Sequence, residues 1–520
     1  MLVKVNTCAV NGLKAMPVFL EVNMRQMAAS EDTPMFLMVG LPDNAVRESR
    51  MRVDGAFQNS QFRLPPRMKY TVNFAPADVR KEGSGYDLPL AIGMLAACRE
   101  VPPEQLDRYV FVGELGLDGS LRPVKGALSI SIQARAMGFE GLIVPKGNVM
   151  EAAVVNRLKV YGADNLRQVV AFLKGDADAL PATEIDTRKE FRAAQASCPY
   201  DFADVKGQES VKRAFEVAAA GGHNILLVGS PGCGKSMMAK RLPSILPQLT
   251  MAESLETTQI HSVAGKLGAQ TSLVAQRPFR SPHHTISDVA LIGGGAQCKP
   301  GEISLAHNGI LFLDELPEFS RTALETLRQP LEDREITISR AKYTVTLPCS
   351  FMLVASMNPC PCGYYNHPTH KCKCTPWQIQ NYMGKISGPL LDRIDIQTEV
   401  TPVPVEELAN APAGEPSAVI RERVMAARAI QTERYKGHKG IHCNAQMTRP
   451  LLEQHAHLDA ECSRTLTQAM KRLDLSARAY DRILRVARTI ADLDASPDIQ
   501  RQHIAEAIGY RNLDRGNWGE

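Results

Sequence analysis

The chain has little charge of either sign to spare. Its 520 residues carry 60 Lys and Arg against 56 Asp and Glu, a net charge of +4 at pH 7. Bulk positive charge is therefore excluded as a way of holding nucleic acid, and any such contact must come from local patches. Long apolar runs are missing too, so no stretch is expected to span a bilayer. The opening Met1-Leu2-Val3-Lys4-Val5-Asn6 lacks the charged and apolar regions of a signal peptide. The expected location is the cytoplasm, with no membrane partner. No disulfide framework is expected either. Eight of the twelve cysteines are scattered (Cys8, Cys98, Cys198, Cys233, Cys298, Cys349, Cys443, Cys462), and in a reducing compartment they stay free. What remains is an ordinary globular composition, 44% hydrophobic and 22% charged, at a length that suits about two to four domains.

Against this background one stretch stands out. Gly229-Ser230-Pro231-Gly232-Cys233-Gly234-Lys235-Ser236 fits G-x-x-x-x-G-K-[ST] without a mismatch. Asn224–Val228 before it reads as a buried strand, and Met237–Leu242 after it as the first turns of a helix. That is the setting of a phosphate-binding loop. Its glycines let backbone N–H groups turn inward, and the helix N-terminus adds positive potential. Lys235 is expected to reach the β- and γ-phosphates of ATP, and Ser236 to hold Mg²⁺.

Two later strands suit the same chemistry. Ile310–Leu313 is apolar and ends in Asp314-Glu315, 79 residues after Lys235. Alone this is a strand with a solvated acidic end. Behind a phosphate loop, Asp314 orders Mg²⁺ through water and Glu315 polarises the attacking water. Ser350–Met357 is a second buried strand, ending in the polar Asn358. Between them, Glu335–Leu347 alternates β-branched residues around Arg340-Ala341-Lys342, as a hairpin does. Arg340, Lys342 and Tyr343 at its tip suit a DNA backbone and a stacked base, or else form a solvated turn.

Cys360, Cys362, Cys372 and Cys374 form C-x-C-x9-C-x-C. Four thiols on a short Pro/Gly loop suit tetrahedral Zn²⁺. However, the C-x-C spacing strains simultaneous ligation, which leaves His367 and His370 as substitutes and redox-active or incidental thiols as the other reading. His283 and His284 are adjacent, and so are expected to point apart rather than share a metal.

The N-terminal part alternates strands (Val18–Val22, Met35–Val39, Tyr70–Phe74) with helices (Asn44–Gln58, Leu88–Cys98, Ala127–Met137), and Asp118-Gly119 marks a hairpin. The expected organisation is an α/β domain over 1–175, a polar linker over 176–198, a nucleotide-binding α/β core over 199–400 and a helical lid over 401–520. In the lid, Ser417–Tyr435 is amphipathic. Ser476 caps a helix that carries Arg478, Arg482, Arg485 and Arg488, the last three also readable as a solvated basic face.

Several of these segments resemble known families. Lys81–Leu88, Gly113-Glu114-Leu115 and Leu121–Val124 look like the Lon-protease-type (S5 domain 2-like) fold. Gly85 stands where that family has its nucleophilic Ser, and Leu128 where it has its activating Lys. Ser84 with Lys125 is the remaining shifted pair, and the resemblance otherwise implies a domain without peptidase activity. The nucleotide core resembles AAA+ ATPases. Asn358 falls at sensor 1, and the Glu335–Leu347 hairpin lies where the pre-sensor hairpin lines the pore. Gln276–Thr285, running on to Gly295, is similar to the helix-2 insert. Leu390–Asp395 is similar to the motif that carries the arginine finger in magnesium-chelatase and MCM-type ATPases. Arg393 would then serve a neighbouring subunit's nucleotide, unless it is tied to Asp392 or Asp395 in its own chain. Arg478 falls at sensor 2, in cis or in trans.

Over nearly its whole length the chain resembles the YifB/ComM family of magnesium chelatase-like AAA+ proteins. That resemblance implies a homo-oligomeric, hexameric, ATP-driven DNA helicase promoting branch migration in recombination and natural transformation. Two alternatives stay open: a chelatase-type ATPase subunit driving metal insertion or remodelling a protein partner, and an ATP-dependent Lon-like protease. Gly85 and Leu128 count against the protease.

Overall fold

A computed structural model describes residues 1–27, 36–195, 199–295, 298–340, 343–367, 369–403, 412–438, 440–473 and 475–511. The chain divides into two compact units: Met1–Ala194 with Met251–Ala275, and Gln195–Thr250 with Gln276–Glu520.

In the first unit the strands are β1 (Leu2–Asn11), β2 (Lys14–Gln26), β3 (Phe36–Val39), β4 (Met68–Ala75), β5 (Tyr109–Phe111), β6 (Glu114–Leu115), β7 (Leu121–Arg122), β8 (Gly141–Pro145), β9 (Lys159–Ala163) and β10 (Ala182–Thr183). Eight of them form one mixed sheet in the order β10-β9-β8-β5-β1-β2-β4-β3, and β6 and β7 form the hairpin expected at Asp118-Gly119. Gly119 sits at φ +81°, the left-handed backbone such a turn demands. Helix Asp87–Ala97 is buried along its whole length and packs on β1 and β2. It comes so close that a Cβ at Gly93 would stand 2.7 Å from Val22 Cγ2. Helix Asn44–Asn59 starts where its sequence predicts, with the Asp43 carboxylate accepting from Val46 N–H at 2.8 Å.

Two segments depart from the expected organisation. Residues 176–198, read as a linker, contain β10, paired antiparallel with β9, and helix Thr187–Gln195. Leu180 (1% exposed) and Phe191 (9%) anchor them. Helix Met251–Ala264 follows the phosphate-loop segment in sequence, yet folds into the first unit, packing on helix Ala127–Ala136. There Gly126 N–H donates to Ser262 O.

The second unit is built on a five-stranded sheet. Its strands are β11 (Ile225–Gly229), β12 (Phe279–Arg280), β15 (Ile310–Leu313), β18 (Met352–Met357) and β19 (Ile396–Val400). The order is β12-β15-β18-β11-β19, and every pairing is parallel. A parallel sheet is covered on both faces, so its strands are continuous apolar runs. Those of β11, β15 and β18 are buried at every position. Two short ribbons complete the strands: β13 (Gly293–Gly294) with β14 (Lys299–Pro300), and β16 (Glu335–Arg340) with β17 (Tyr343–Pro348). The core runs from Phe215, Leu227 and Phe312 into the lid helices, through Ile420 and Val424 of Ser417–Arg434 and Ile490 of Ala477–Leu493. Among the described residues no helix is long and apolar enough to cross a membrane.

Candidate functional site

The register of the sheet assembles the site. Leu313 of β15 lies opposite Ala355 of β18, and Val228 of β11 opposite Met357. The residues that leave the carboxyl ends of these strands therefore emerge side by side, where open α/β sheets bind ligands. They are Gly229–Ser236, Asp314 with Glu315, and Asn358.

Backbone geometry explains the glycines of the loop. Gly232 (φ +81°) and Gly234 (φ +93°) lie in the left-handed region. A Cβ at Gly229 would stand 2.3 Å from Val400 O of the neighbouring strand. Pro231 and Cys233 complete the turn, and helix Lys235–Arg241 begins at its end. The Lys235 ammonium donates to Gly229 O (2.6 Å), Ser230 O (2.9 Å) and Asn358 Oδ1 (3.2 Å). Burial holds its pKa below the usual lysine value, and the nearby Cys233, Asp314 and Glu315 pull it partway back. Ser236 Oγ donates to Asp314 Oδ2 at 2.7 Å, and Asp314 Oδ1 accepts from Ser356 Oγ. A hydroxyl, a carboxylate and an ammonium thus converge at the loop, the donor set for a phosphate with a hard divalent cation.

Glu315 leaves β15 in the left-handed conformation (φ +55°), with its side chain 55% exposed. Its neighbour went unread in the sequence: His284 Nδ1 lies 3.5 Å from Glu315 Oε2. The two adjacent histidines do not point apart as expected. Their rings pack at 4.1 Å, because they sit on a turn rather than on a helix or strand.

Arg393 and Arg478 line a different place. With Arg334, Arg482 and Arg485 they border a cavity of about 600 Å³ that also holds Glu332, Asp392, Asp395 and Asp481. No residue of Gly229–Ser236 borders it. Arg393 pairs with Glu332, not with Asp392 or Asp395, and its buried Nε has no partner. Arg478 is 69% exposed and 3.8 Å from Asp392. Asp395 is wholly buried. Burial raises its pKa, but Arg482 and His223 outweigh burial and hold it well below the carboxylate range. The solvated basic face read for Arg482, Arg485 and Arg488 is not found. Arg482 pairs with Asp395, Arg488 is 2% exposed against Asp492, and burial lowers the pKa of Arg485.

The expected hairpin forms, in the register Glu335↔Pro348 to Arg340↔Tyr343. Ile336, Ile338, Val345 and Leu347 point inward, while Thr337 pairs with Thr346 on the open face. Lys342, and the side chains of Arg340 and Tyr343, lie outside the described residues. One signal legible in the sequence went unread: from Ile336 to Leu391 there is no acidic residue, while Arg340, Lys342, Lys371, Lys373 and Lys385 fall within that run.

The four cysteines converge despite the C-x-C spacing. Their sulfurs all lie within 4.8 Å of one another, with Cys360 to Cys362 at 3.3 Å, Cys360 to Cys372 at 3.7 Å and Cys362 to Cys372 at 3.6 Å. Burial raises the Cys362 thiol, but the backbone N–H groups of Lys373 and Tyr364 outweigh it and bring the pKa down to about 6. His367 and His370 stack around Tyr364 instead. In the first unit, Ser84 Oγ donates to Glu114, and the Lys125 stem lies along Gly265. The shifted Ser–Lys pair is therefore not assembled.

A phosphate loop on a parallel sheet, an acidic pair at the next strand end and a helical lid define a P-loop ATPase of the AAA+ class. Models of the magnesium chelatase subunit ChlI match residues 26–148 and 201–408, and a model of its C-terminal part matches 414–511. An uncharacterised protein, YifB, of Escherichia coli is 44% identical over 98% of this chain and 97% of its own length. The competence protein ComM of Haemophilus influenzae is 44% identical over 97% of this chain and 96% of its own. The DNA replication licensing factor mcm2 of Schizosaccharomyces pombe is 25% identical over 58% of this chain and 37% of its own. The chain belongs to the YifB/ComM family of magnesium chelatase-like AAA+ ATPases.

Proposed function

We propose that this protein is an ATP-driven motor on DNA, working in the cytoplasm as a hexameric ring of identical copies and promoting branch migration as a helicase. One observation carries the reading. The β16–β17 hairpin is spliced between β15 and β18, the two strands whose ends bear Asp314, Glu315 and Asn358. A shift at the phosphate on hydrolysis is thereby transmitted to the hairpin. The acid-free run from Ile336 to Leu391 supports a polyanion as its partner.

On this reading Gly229–Ser236 cradle ATP, Ser236 and Asp314 hold Mg²⁺, Glu315 is the general base and Asn358 positions the water. Arg393 and Arg478 complete a neighbouring copy's site, and Arg340, Lys342 and Tyr343 touch DNA. Residues 1–194 with 251–275 are a Lon-like domain without peptidase activity, the remainder of 195–400 is the motor core, and 401–520 are the lid. One Zn²⁺ on Cys360, Cys362, Cys372 and Cys374 is part of the same reading.

The test is ATPase rate with and without branched DNA, together with unwinding of a four-way junction. Stimulation by DNA and strand separation are expected. Neither effect in the purified protein would sink the motor. Lys342→Ala should weaken DNA binding and spare basal hydrolysis, and equal binding would reject the hairpin contact. The ChlI family matches favour a second reading, a chelatase-type ATPase that remodels a protein partner. Hydrolysis indifferent to DNA but raised by such a partner would favour it.

A further inference from the structure

We infer that the Zn²⁺ held by Cys360, Cys362, Cys372 and Cys374 braces the phosphate loop, so that metal occupancy sets nucleotide affinity. This rests on the zinc reading proposed for the cluster. The sulfurs of Cys360, Cys362 and Cys372 stand 3.3 to 3.7 Å apart, and all four lie within 4.8 Å of one another. A tetrahedral ion with bonds of about 2.3 Å needs sulfurs about 3.8 Å apart, whereas a disulfide needs about 2.05 Å. The sulfurs thus stand at ligand spacing, and with four of them the site is closed, as structural zinc sites are. A backbone donor supports them, with Cys374 N–H pointing at Cys372 Sγ (3.4 Å). Such donors orient thiolates toward a metal. A zinc tetrathiolate carries a net charge of about −2, and the exposed Lys371 and Lys373 flank it.

The bracing follows from where the loop lies. Gly363, in the left-handed region at φ +83°, sits directly on the phosphate loop, and a Cβ there would be 2.5 Å from Pro231 Cδ. At the loop's start, Cys360 follows Asn358 by two residues, and Asn358 Oδ1 accepts from Lys235. The Cys loop therefore touches the phosphate site from two sides. Among the described residues between Cys360 and Cys374 there are turns and bends but no helix or strand. A metal cross-link is what fixes such a loop, because binding energy at a closed site is ordering energy.

The experiment is metal analysis and fluorescent-ATP titration on the full-length protein. The titration is run as purified, after stripping with a mercurial and chelator, and after Zn²⁺ is restored. About one zinc per chain is expected. Cobalt in its place should give the thiolate charge-transfer and intense visible bands of a tetrahedral sulfur site. Stripping should weaken ATP binding on the order of tenfold, and Zn²⁺ should restore it. Gly363→Ala separates bracing from unfolding: it should keep its zinc and lose ATP affinity, since its methyl collides with Pro231. Less than about 0.3 zinc per chain overturns the metal reading and the inference with it. About one zinc per chain as purified, with ATP affinity unchanged on stripping, overturns the bracing alone. A protein that binds no ATP in any state overturns the nucleotide site.

Discussion

The phosphate loop and the arginine cavity share one sheet and are finished to different degrees. At the loop three polar contacts close within the chain, Lys235 on Asn358, Ser236 on Asp314 and Asp314 on Ser356, while the Ser230 hydroxyl is buried without a partner. At the cavity the cations are tethered to acids of their own chain, Arg393 to Glu332 and Arg478 to Asp392, and the Arg393 Nε is buried without a partner. The contrast separates binding from turnover. One region is organised to hold a nucleotide, and the other presents guanidinium groups away from it.

Lys235→Ala should have the largest effect, because it removes the ammonium that donates within the phosphate loop. Hydrolysis should fall about a thousandfold or more, and ATP binding should fall with it. Arg393→Ala should cost about a thousandfold in turnover while ATP affinity stays intact. Mixing it with Glu315→Gln protein sharpens the comparison. If the cavity serves a neighbouring site, rings of mixed composition regain part of the rate. If the mixture stays as dead as its components, Arg393 does not act across a subunit boundary.

The loop was legible from the chain because its residues are contiguous and its glycines are demanded by backbone conformation. Strand ends were nearly as plain: an apolar run ending in Asp314-Glu315 or Asn358 announces both burial and a polar terminus. The neighbourhood of Glu315 was not legible. His284 lies 31 residues earlier in the chain, and no local period links the two. Arg482, Arg485 and Arg488 look solvated when read singly. Only the fold reveals Asp395 and Asp492, which make their burial affordable. Nothing local to Met251–Ala264 says that it leaves the unit of the phosphate loop to pack on Ala127–Ala136.

From Asp395 of the arginine cavity runs a buried polar network. His223, next to β11, touches Asp395 at 3.4 Å and Thr489 at 2.8 Å. Asn444 joins Thr489 to Asp492, which accepts from Arg434 (2.6 and 2.7 Å) and Arg488 (3.1 Å). Asp492 is fully buried. Asp492→Ala should leave two guanidinium groups uncompensated, at a cost of about 3–5 kcal/mol. Thermal unfolding should shift down on the order of 10 °C, with Asp492→Asn intermediate. A shift below about 2 °C would mean that the arginines find other partners.

His284→Ala should have the smallest effect and refines the comparison most. The ring is held between His283, at 4.1 Å, and the edge of Phe319, at 6.4 Å, so its position is set by packing. It meets a Glu315 carboxylate that is half exposed and standing in a left-handed backbone. Solvent screens that contact, so its loss should not touch ATP affinity. It should instead let the carboxylate wander from the position a general base needs, lowering kcat about tenfold or less with KM unchanged. His284→Asn, which keeps a side-chain donor at a similar reach, should recover part of the rate. Initial-rate hydrolysis over a range of ATP concentrations reads the split. A change in KM would move His284 into binding, and unchanged kcat would leave Glu315 held by its backbone alone.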